Sequence, residues 1–351
     1  MNKHKLQRGR GAESRLARAG IKPWGPGWLL PLCPSAPLLM FLPLVLAACS
    51  TGERLVTIPG QGFVAGLVYL DLDGNREAGG PDQALGGVGV RLVVAGTLDT
   101  AGRATSDANG GFVFGAVAVG RYTIVVPDAA IFGDSIQVVR IDTADVALGV
   151  DDTSQVAIAV SFPAYTLAKA RARPLGEKIF VQGLALNNST TFGDSTVHLR
   201  DTSDAILVTG ARGPLVANGD SVRFLGRIGA RNGQPVIENG QATILAIVGL
   251  PVAIRVTTAE AAFAGDGVLD AELVRIVDGT IADDTATVNG DYRFTADDGS
   301  GPVLVVLDQD AGLTRTPYVP GVVIDATGVL VPDGSGAWVL KPRNNADLVV
   351  K

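Results

Sequence analysis

A two-residue alternation of apolar and polar side chains is the feature that most constrains the fold of this chain. From residue 62 onward, short apolar segments are separated by Gly, Asp and Asn turns every 8–12 residues. The best helical stretch, Thr257 to Ala264, is short. This spacing is typical of β-sandwiches and barrels, so the chain is predicted to be all-β. Its 351 residues are enough for two or three such domains.

The first 48 residues predict an export signal. Residues 1–28 carry seven Lys or Arg and one acidic residue, and an uncharged stretch follows from Trp28 to Ala48. The alternative is a plain transmembrane anchor, because the apolar run is about long enough to span a bilayer. Four prolines interrupt that run, and each removes a helix hydrogen-bond donor, which favours the cleavable signal.

The end of this stretch, Leu46-Ala-Ala-Cys49, resembles the lipobox of bacterial lipoproteins. The resemblance implies a signal peptide over 1–48, a lipidated Cys49 at the mature N-terminus and a tether over 49–60. Two or more acyl chains anchor a protein stably, since each buried CH₂ adds about 0.8 kcal/mol. The partner implied for this end is therefore a membrane. Ser50 stands where Asp would resemble the inner-membrane retention signal, which favours the outer membrane or cell surface.

The segment 61–163 contains an ordered set of strand and turn motifs. The stretch GLVYLDLDGNREAGGPDQALGGVGVRLV is followed by TSDANGGFVFGAVAVGRYTIVV. This order resembles the B-repeat of Sdr-type surface adhesins and the transthyretin-like regulatory domains of carboxypeptidases. The resemblance implies a seven-stranded, prealbumin-like β-sandwich that serves as a spacer or structural module.

Two internal repeats follow a predicted linker over 164–175. Residues 195–210 align with 291–307, and residues 218–245 align with 320–349. The repeats are assigned to modules 176–249 and 250–351. Each is similar to a five-stranded OB-fold barrel, a module found in tandem in bacterial secreted proteins, some of them fused to nucleases. The predicted architecture is therefore one sandwich and two OB-fold-like barrels.

An acidic loop in the sandwich segment has the spacing of a cation-binding loop. Asp71, Asp73, Asn75 and Asp82 occupy loop positions 1, 3, 5 and 12, and Ca²⁺ takes six to eight oxygen ligands. The loop is not an EF-hand, because Arg76 stands where that loop has Gly. Calcium-binding adhesin repeats have a similar loop, so the resemblance implies Ca²⁺. The alternative is an ordinary turn whose polar side chains cap their own backbone.

A basic face on the first predicted barrel is the second candidate site. Residues 166–249 carry nine basic and six acidic side chains, whereas both flanking modules are acidic. Strand parity predicts an outward-facing set, and the candidate contact residues are Lys178, Phe180, Arg200, Arg223 and Arg227. OB-folds bind ligands on the face of their middle strands, so a protein or glycan ligand and a merely solvated face both stay open. Nucleic acid is disfavoured but not excluded, because acidic neighbours repel polyanions and Phe180 is the single aromatic platform.

Catalysis has little support in the sequence. Beyond the signal, one histidine remains, His198, and the one cysteine is the lipidation residue. We therefore assign no catalytic residue, and no cofactor other than calcium. The sequence predicts a non-enzymatic structural or interaction module, an adhesion or scaffold protein of the cell envelope. The alternative is a ligand-binding OB-fold protein for single-stranded nucleic acid or glycan, possibly accessory to a secreted nuclease.

Overall fold

The computed structural model describes residues 60–127, 140–288 and 290–351. Residues Thr57–Lys351 form one compact unit, which contains the sandwich and both barrels. The regular secondary structure of the described part is almost entirely β-strand. It forms one two-sheet sandwich and two closed five-stranded barrels, which confirms the predicted all-β fold class. The predicted signal, its lipidation residue and the tether up to residue 59 lie outside the described residues. No helix in the described ranges is long and apolar enough to cross a membrane.

The sandwich occupies the first third of the described chain. Its strands are β1 (Gln61–Leu70), β2 (Gln83–Ala84), β3 (Gly89–Val94), β4 (Thr100–Thr105), β5 (Gly111–Ala118), β6 (Gly120–Val125), β7 (Arg140–Ile141), β8 (Ala144–Leu148) and β9 (Thr153–Ser161). One sheet has the order β2-β1-β9-β7, with β5 also paired to β1, and the other has the order β4-β3-β6-β8. The strand β1 pairs in parallel with β9 and antiparallel with β5.

The alternation read from the sequence fills the space between the two sheets. Alternate residues of each strand point inward, and the side chains of Val64, Leu92, Ile124 and Ile158 are fully buried there. The sequence did not predict β4 or β8, because TAGRAT and ADVAL lack the run of bulky apolar residues typical of a buried strand. The apolar alternation at 136–141 also predicts a strand, of which Arg140–Ile141 belongs to the described residues.

The two barrels share one order of elements. The first contains β10 (Ala164–Tyr165), α1 (Leu167–Arg171), β11 (Lys178–Ala185), β12 (Val197–Arg200), β13 (Ala205–Thr209), β14 (Asp220–Arg231) and β15 (Gln234–Ile247). The second contains β16 (Ile254–Arg255), α2 (Thr258–Ala262), β17 (Leu273–Val288), β18 (Asp291–Asp297), β19 (Val303–Leu307), β20 (Val323–Pro332), β21 (Trp338–Lys341) and β22 (Leu348–Val350).

The strand order of both barrels is that of an OB-fold. In the first barrel β11, β12, β13, β15 and β14 are neighbours in that order, and β14 closes onto β11. The pairing of β13 with β15 is parallel. In the second barrel β17, β18, β19, β21 and β20 repeat this order, with β19 parallel to β21 and β20 closing onto β17. The aligned segments of the sequence are therefore equivalent strands.

The repeat also includes a segment that the sequence analysis interpreted as a linker. Residues 164–171 form β10 and α1, and Leu167 and Ala170 are fully buried in the core of the first barrel. The strands β10 and β16 run parallel to the first strand of their barrels, and α1 and α2 follow them. The prediction of a linker over 164–175 is therefore wrong for residues 164–171. A five-residue helix such as α1 is too short to show an apolar periodicity in the sequence.

An Asp-x-Ser turn caps each of these helices. In the first barrel, backbone N–H groups of α1 donate to Asp201 Oδ2 at 2.9 Å and to Ser203 Oγ at 3.1 Å. In the second, N–H groups of α2 donate to Asp298 Oδ2 at 3.2 Å and to Ser300 Oγ at 3.1 Å. Burial raises the pKa of Asp298, but hydrogen bonds from Ser300 and Thr258 outweigh it and lower the value to about 2. The short helical stretch noted at 257–264 contains α2, whose N-terminus also carries a capping box between Thr257 and Glu260.

The sandwich packs against the first barrel through a small apolar cluster. Its buried members are Leu70, Leu72, Phe162, Phe180 and Leu225. The rings of Phe162 and Phe180 lie 6.4 Å apart. These residues come from the ends of β1 and β9 and from the outer face of β11 and β14, so the sandwich covers the part of this outer face that carries Phe180 and Leu225. The two modules therefore share a hydrophobic core of their own.

Buried polar contacts join the two barrels, together with small apolar clusters. The carboxylate of Asp270, which is 2% exposed, accepts from Arg171 Nη1 at 3.0 Å and from Trp338 Nε1 at 2.7 Å. The guanidinium of Arg200 donates to Glu272 and to two backbone carbonyls of the second barrel. Removing one partner from such a buried pair leaves an uncompensated charge, which is more costly than the intact pair is stabilising.

We expect Asp270→Ala to lower the free energy of unfolding by about 3 kcal/mol, because it removes the buried charge that faces Arg171 and the acceptor of the Trp338 indole. The measurement is chemical denaturation followed by far-ultraviolet circular dichroism. The matched control is Asp283→Ala, an exposed aspartate of the same barrel, which should change stability by no more than about 0.5 kcal/mol. Equal effects of the two substitutions would contradict this account of the barrel interface.

Candidate functional site

The three aspartates of the acidic loop are close enough to share one ion. One carboxylate oxygen from each of Asp71, Asp73 and Asp82 lies within 4.8 Å of the other two. Oxygens bound to Ca²⁺ at 2.3–2.6 Å can be at most about 5 Å apart. Asp71 is 3% exposed, whereas the other two are partly exposed, so the cluster opens to solvent on one side. The three aspartates that the sequence spacing predicted as ligands are therefore close enough together to share a cation.

The main chain of the loop holds these carboxylates in place. Gly74 N–H donates to Asp71 Oδ1 at 2.6 Å, and Leu72 N–H donates to Asp82 Oδ1 at 2.9 Å. Burial raises the pKa of Asp82, and the hydrogen bonds from Leu72 and Gly79 oppose this only in part. The fourth expected ligand, Asn75, makes contacts within the loop: its Nδ2 donates to Asp73 and its Oδ1 accepts from Glu77 N–H.

A buried hydroxyl beside this cluster lacks a hydrogen-bond partner. Tyr69 is 1% exposed, and its Oη has no hydrogen-bond partner among the described residues. Burial raises the pKa of Tyr69 to about 12, and the charges of Asp71 and Asp82 contribute to the rise. A buried hydroxyl without a partner costs about 1–3 kcal/mol. The donor set of three carboxylates and a neighbouring unsatisfied hydroxyl fits a hydrated, oxygen-ligated ion such as Ca²⁺.

The basic face of the first barrel meets the acidic loop across a cleft of about 490 Å³. Asp71 and Gly74 line it from the sandwich, and Tyr165, Gln182 and Arg223 line it from the barrel. The Arg223 guanidinium stacks on the Phe180 ring, with its Cζ 4.0 Å from the ring centre. The acidic loop and the basic face, which the sequence predicts as two separate sites, therefore lie next to each other.

The expected ligand-contact residues separate into three environments. Phe180 is 1% exposed in the cluster between the modules, so it is not available as a stacking platform. The Nζ of Lys178 lies 4.4 Å from the centre of the Phe162 ring, and Arg227 Nη1 donates to Gly176 O at 2.9 Å. Arg200 lies in the interface between the barrels. Strand parity was correct for this set, since the residues facing the opposite way, such as Ile179 and Val181, are in the barrel core.

The second barrel covers the surface on which OB-folds usually bind ligands. That surface is the outer face of the middle strands, here β12 and β13. In the described structure, Leu207 and Ala205 of β13 pack with Val236 and with Ala271 of the second barrel. The outward-facing residues of β12 are His198, which is 2% exposed, and Arg200. This face is therefore an interface within the chain.

His198 is a buried, neutral residue. Its Nδ1 lies 3.1 Å from Asn187 Oδ1, and that oxygen also accepts from His198 N–H at 2.7 Å. Because the Asn187 Nδ2 donates to two carbonyls, its Oδ1 faces the ring, and Nδ1 must therefore carry the proton. Burial lowers the pKa of His198 to about 3, and the nearby charges of Lys341, Arg231 and Arg343 add to the effect. Of the two roles that the sequence leaves open for a lone strand histidine, solvated or packed, His198 has the packed one.

Two residues of the cleft region have no pattern in the sequence that could have identified them. Tyr69 is one of the alternating residues of β1, and its exclusion from solvent depends on packing in the folded chain. Asp142, which follows β7, lines the cleft, and its Oδ2 lies 3.9 Å from Arg76 Nε. Tyr69 directly precedes the acidic loop in the chain, whereas Asp142 lies near it because β1, β7 and β9 share a sheet.

No protein-family model matches this chain, and no curated protein matches it. Among solved structures, a candidate carbohydrate binding protein from Pseudomonas aeruginosa is 18% identical over 29% of this chain and 89% of its own, with a TM-score of 0.20. The minor pilin of Streptococcus agalactiae is 16% identical over 30% of this chain and 45% of its own, with a TM-score of 0.23. A murine DNA-binding protein bound to double-stranded DNA is 9% identical over 49% of this chain and 94% of its own, with a TM-score of 0.28.

We expect the protein to lose stability as the pH falls from about 6.5 to about 4.5, and His198→Gln to lose less. The unfolded chain takes up a proton at this histidine near pH 6.5, whereas the folded chain does so only near pH 3. The stabilising contribution is therefore present above pH 6.5 and is lost as the pH falls toward 3. Aspartates with lowered pKa, such as Asp298 and Asp325, act mainly below pH 4, outside this window. Parallel slopes of stability against pH for the two proteins would contradict the assignment.

Proposed function

We propose that this protein is an exported, lipid-anchored envelope protein that acts as a non-enzymatic structural or interaction module. One observation supports this proposal most strongly: the usual ligand face of the first barrel is covered by the second barrel. The part of the outer face of β11 that carries Phe180 is likewise covered by the sandwich. The modules thus use their faces to hold one another in a fixed arrangement, as suits a scaffold that presents its outer surface to a protein or glycan.

The alternative of a nucleic-acid-binding protein, possibly accessory to a secreted nuclease, has less support. Binding of single strands combines cationic grooves with exposed aromatic rings on which bases stack. Lys178, Arg212 and Arg227 line a groove of about 460 Å³ on the first barrel. However, Phe180 is buried between the modules, and the described lining of this groove contains no aromatic residue.

The anchor is the part of the proposal that a single substitution tests. We expect the wild-type protein to sediment with membranes and to be extracted only by detergent, because at least two acyl chains on Cys49 are needed for stable anchoring. Cys49→Ala should shift the protein to the soluble fraction, while Ser50→Ala, the adjacent matched control, should leave it with membranes. Retention of Cys49→Ala in the membrane fraction would overturn the lipid anchor.

We further propose that the acidic loop binds Ca²⁺ through Asp71, Asp73 and Asp82. When bound, the ion would supply positive charge that holds the loop closed over the end of the sandwich. Ligands that bind the folded state alone stabilise it, by about 2.7 kcal/mol at a concentration one hundred times the dissociation constant. The hydroxyl of Tyr69 would then lie beside the hydration shell of the ion, which offers it a partner.

We expect CaCl₂ to raise the melting temperature relative to a chelator, and Asp73→Asn to abolish the rise. Asp107→Asn, in a turn of the same sandwich outside the cluster, should preserve it. Tyr69→Phe should stabilise the protein in chelator by about 1 kcal/mol, since it removes a buried hydroxyl that lacks a partner, and should stabilise it less with Ca²⁺. An unchanged melting temperature of the wild-type protein in CaCl₂ would reject the site.

A further inference from the structure

We propose that Arg223 of the first barrel is the built-in counter-cation of the acidic loop, and that it competes with Ca²⁺ for that loop. A residue of the first barrel would then set the affinity of the acidic loop of the sandwich for Ca²⁺. This inference rests on the proposed Ca²⁺ site, and the experiment below separates the failure of one from the failure of the other.

The position of Arg223 is fixed from two sides. Its guanidinium stacks on the buried Phe180 ring, and its side chain lines the cleft together with Asp71. On the loop side, Gly74 has a φ of +83°, and a β-carbon there would overlap the guanidinium. A side chain at this position would therefore be both strained and obstructed. The loop backbone approaches Arg223 this closely because residue 74 is glycine.

The charge of Arg223 has no direct partner. It is 9% exposed, and within the described residues it makes no hydrogen bond and no ion pair shorter than 4.0 Å. Burial lowers the pKa of Arg223, and the charges of Asp71, Asp73 and Asp82 raise it again. A buried charge needs compensation, and these three carboxylates are the groups that provide it. Conversely, three carboxylates that lie so close together need a nearby positive charge. Arg223 is more buried than Arg76, the other basic residue that lines the cleft.

The other cation near the loop is a poor substitute. The side chain of Arg76 is 58% exposed, and its Nε lies 3.9 Å from Asp142, so solvent screens most of its charge. Arg223 is desolvated, and its field on the loop is screened less. The electrostatic state of the loop therefore depends mainly on Arg223.

A cation that binds the loop meets this fixed positive charge. Ca²⁺ would coordinate the same carboxylates that compensate Arg223, and the guanidinium cannot simply turn away, because Phe180 and Gly74 confine it. The repulsion between the two cations weakens binding.

The test is isothermal titration of the full-length protein with CaCl₂ after chelator treatment and desalting. Arg223→Met keeps the apolar contact with Phe180 and removes the charge, and Arg223→Gln is a second neutral variant in case the first does not fold. Both should bind Ca²⁺ at least tenfold more tightly than the wild type, because the lost repulsion exceeds the ~1.4 kcal/mol that a tenfold change represents. Arg223→Lys, which keeps the charge, should stay near the wild-type affinity.

The matched control is Arg212→Met, the same substitution on the other side of the first barrel, where the guanidinium bonds to Asn239. It should bind Ca²⁺ like the wild type. Binding by the neutral Arg223 variants alone would support the counter-cation and reject Ca²⁺ occupancy of the native loop. Equal affinities of wild type and neutral variants would overturn the inference and leave the Ca²⁺ site standing. No binding by any variant would overturn both.

Discussion

The buried carboxylate of Asp270 is the interaction on which the arrangement of the barrels depends. It lies between a guanidinium of the first barrel and the Trp338 indole of the second, so one desolvated charge is compensated from both sides. Around it, apolar residues of β13 and β15 pack against the start of β17. Because a buried charge without its partners is costly, separating the barrels would expose or strand this group. The polar interface therefore favours a single relative orientation of the two barrels, which an apolar contact alone would define less strictly.

This arrangement changes what the individual modules can do. A free OB-fold offers the face of its middle strands to a ligand, but here that face is part of the interior. The sandwich covers the neighbouring face of the same barrel through Phe162 and Phe180. The cleft between sandwich and barrel stays accessible, and residues from distant parts of the chain meet there. Binding chemistry in such a protein is more naturally found between modules than within one of them.

The sequence predicted the properties that follow from local periodicity and from repetition. Alternation placed Ile179 and Val181 in the core and Phe180 outside it, and the internal alignment paired β12–β13 with β18–β19. It could not predict features that arise from packing between distant segments. Arg223 is 152 residues from Asp71 along the chain, and nothing near either residue indicates that they share a cleft. The short helix α1 was missed because two buried residues do not establish a helical period. The lipid on Cys49 and the calcium ion stay predictions.

The short strand and helix that precede each barrel, β10 with α1 and β16 with α2, show where each repeat begins. A strand and a capped helix precede the first barrel strand in both copies, and each helix closes one end of its barrel core. The unit that was copied is therefore larger than the five-stranded barrel and starts near residues 164 and 254. A fragment that began at residue 176 would lack Leu167 and Ala170 and would leave that end of the core open to water. Dissection of this protein into autonomous pieces should follow the helices.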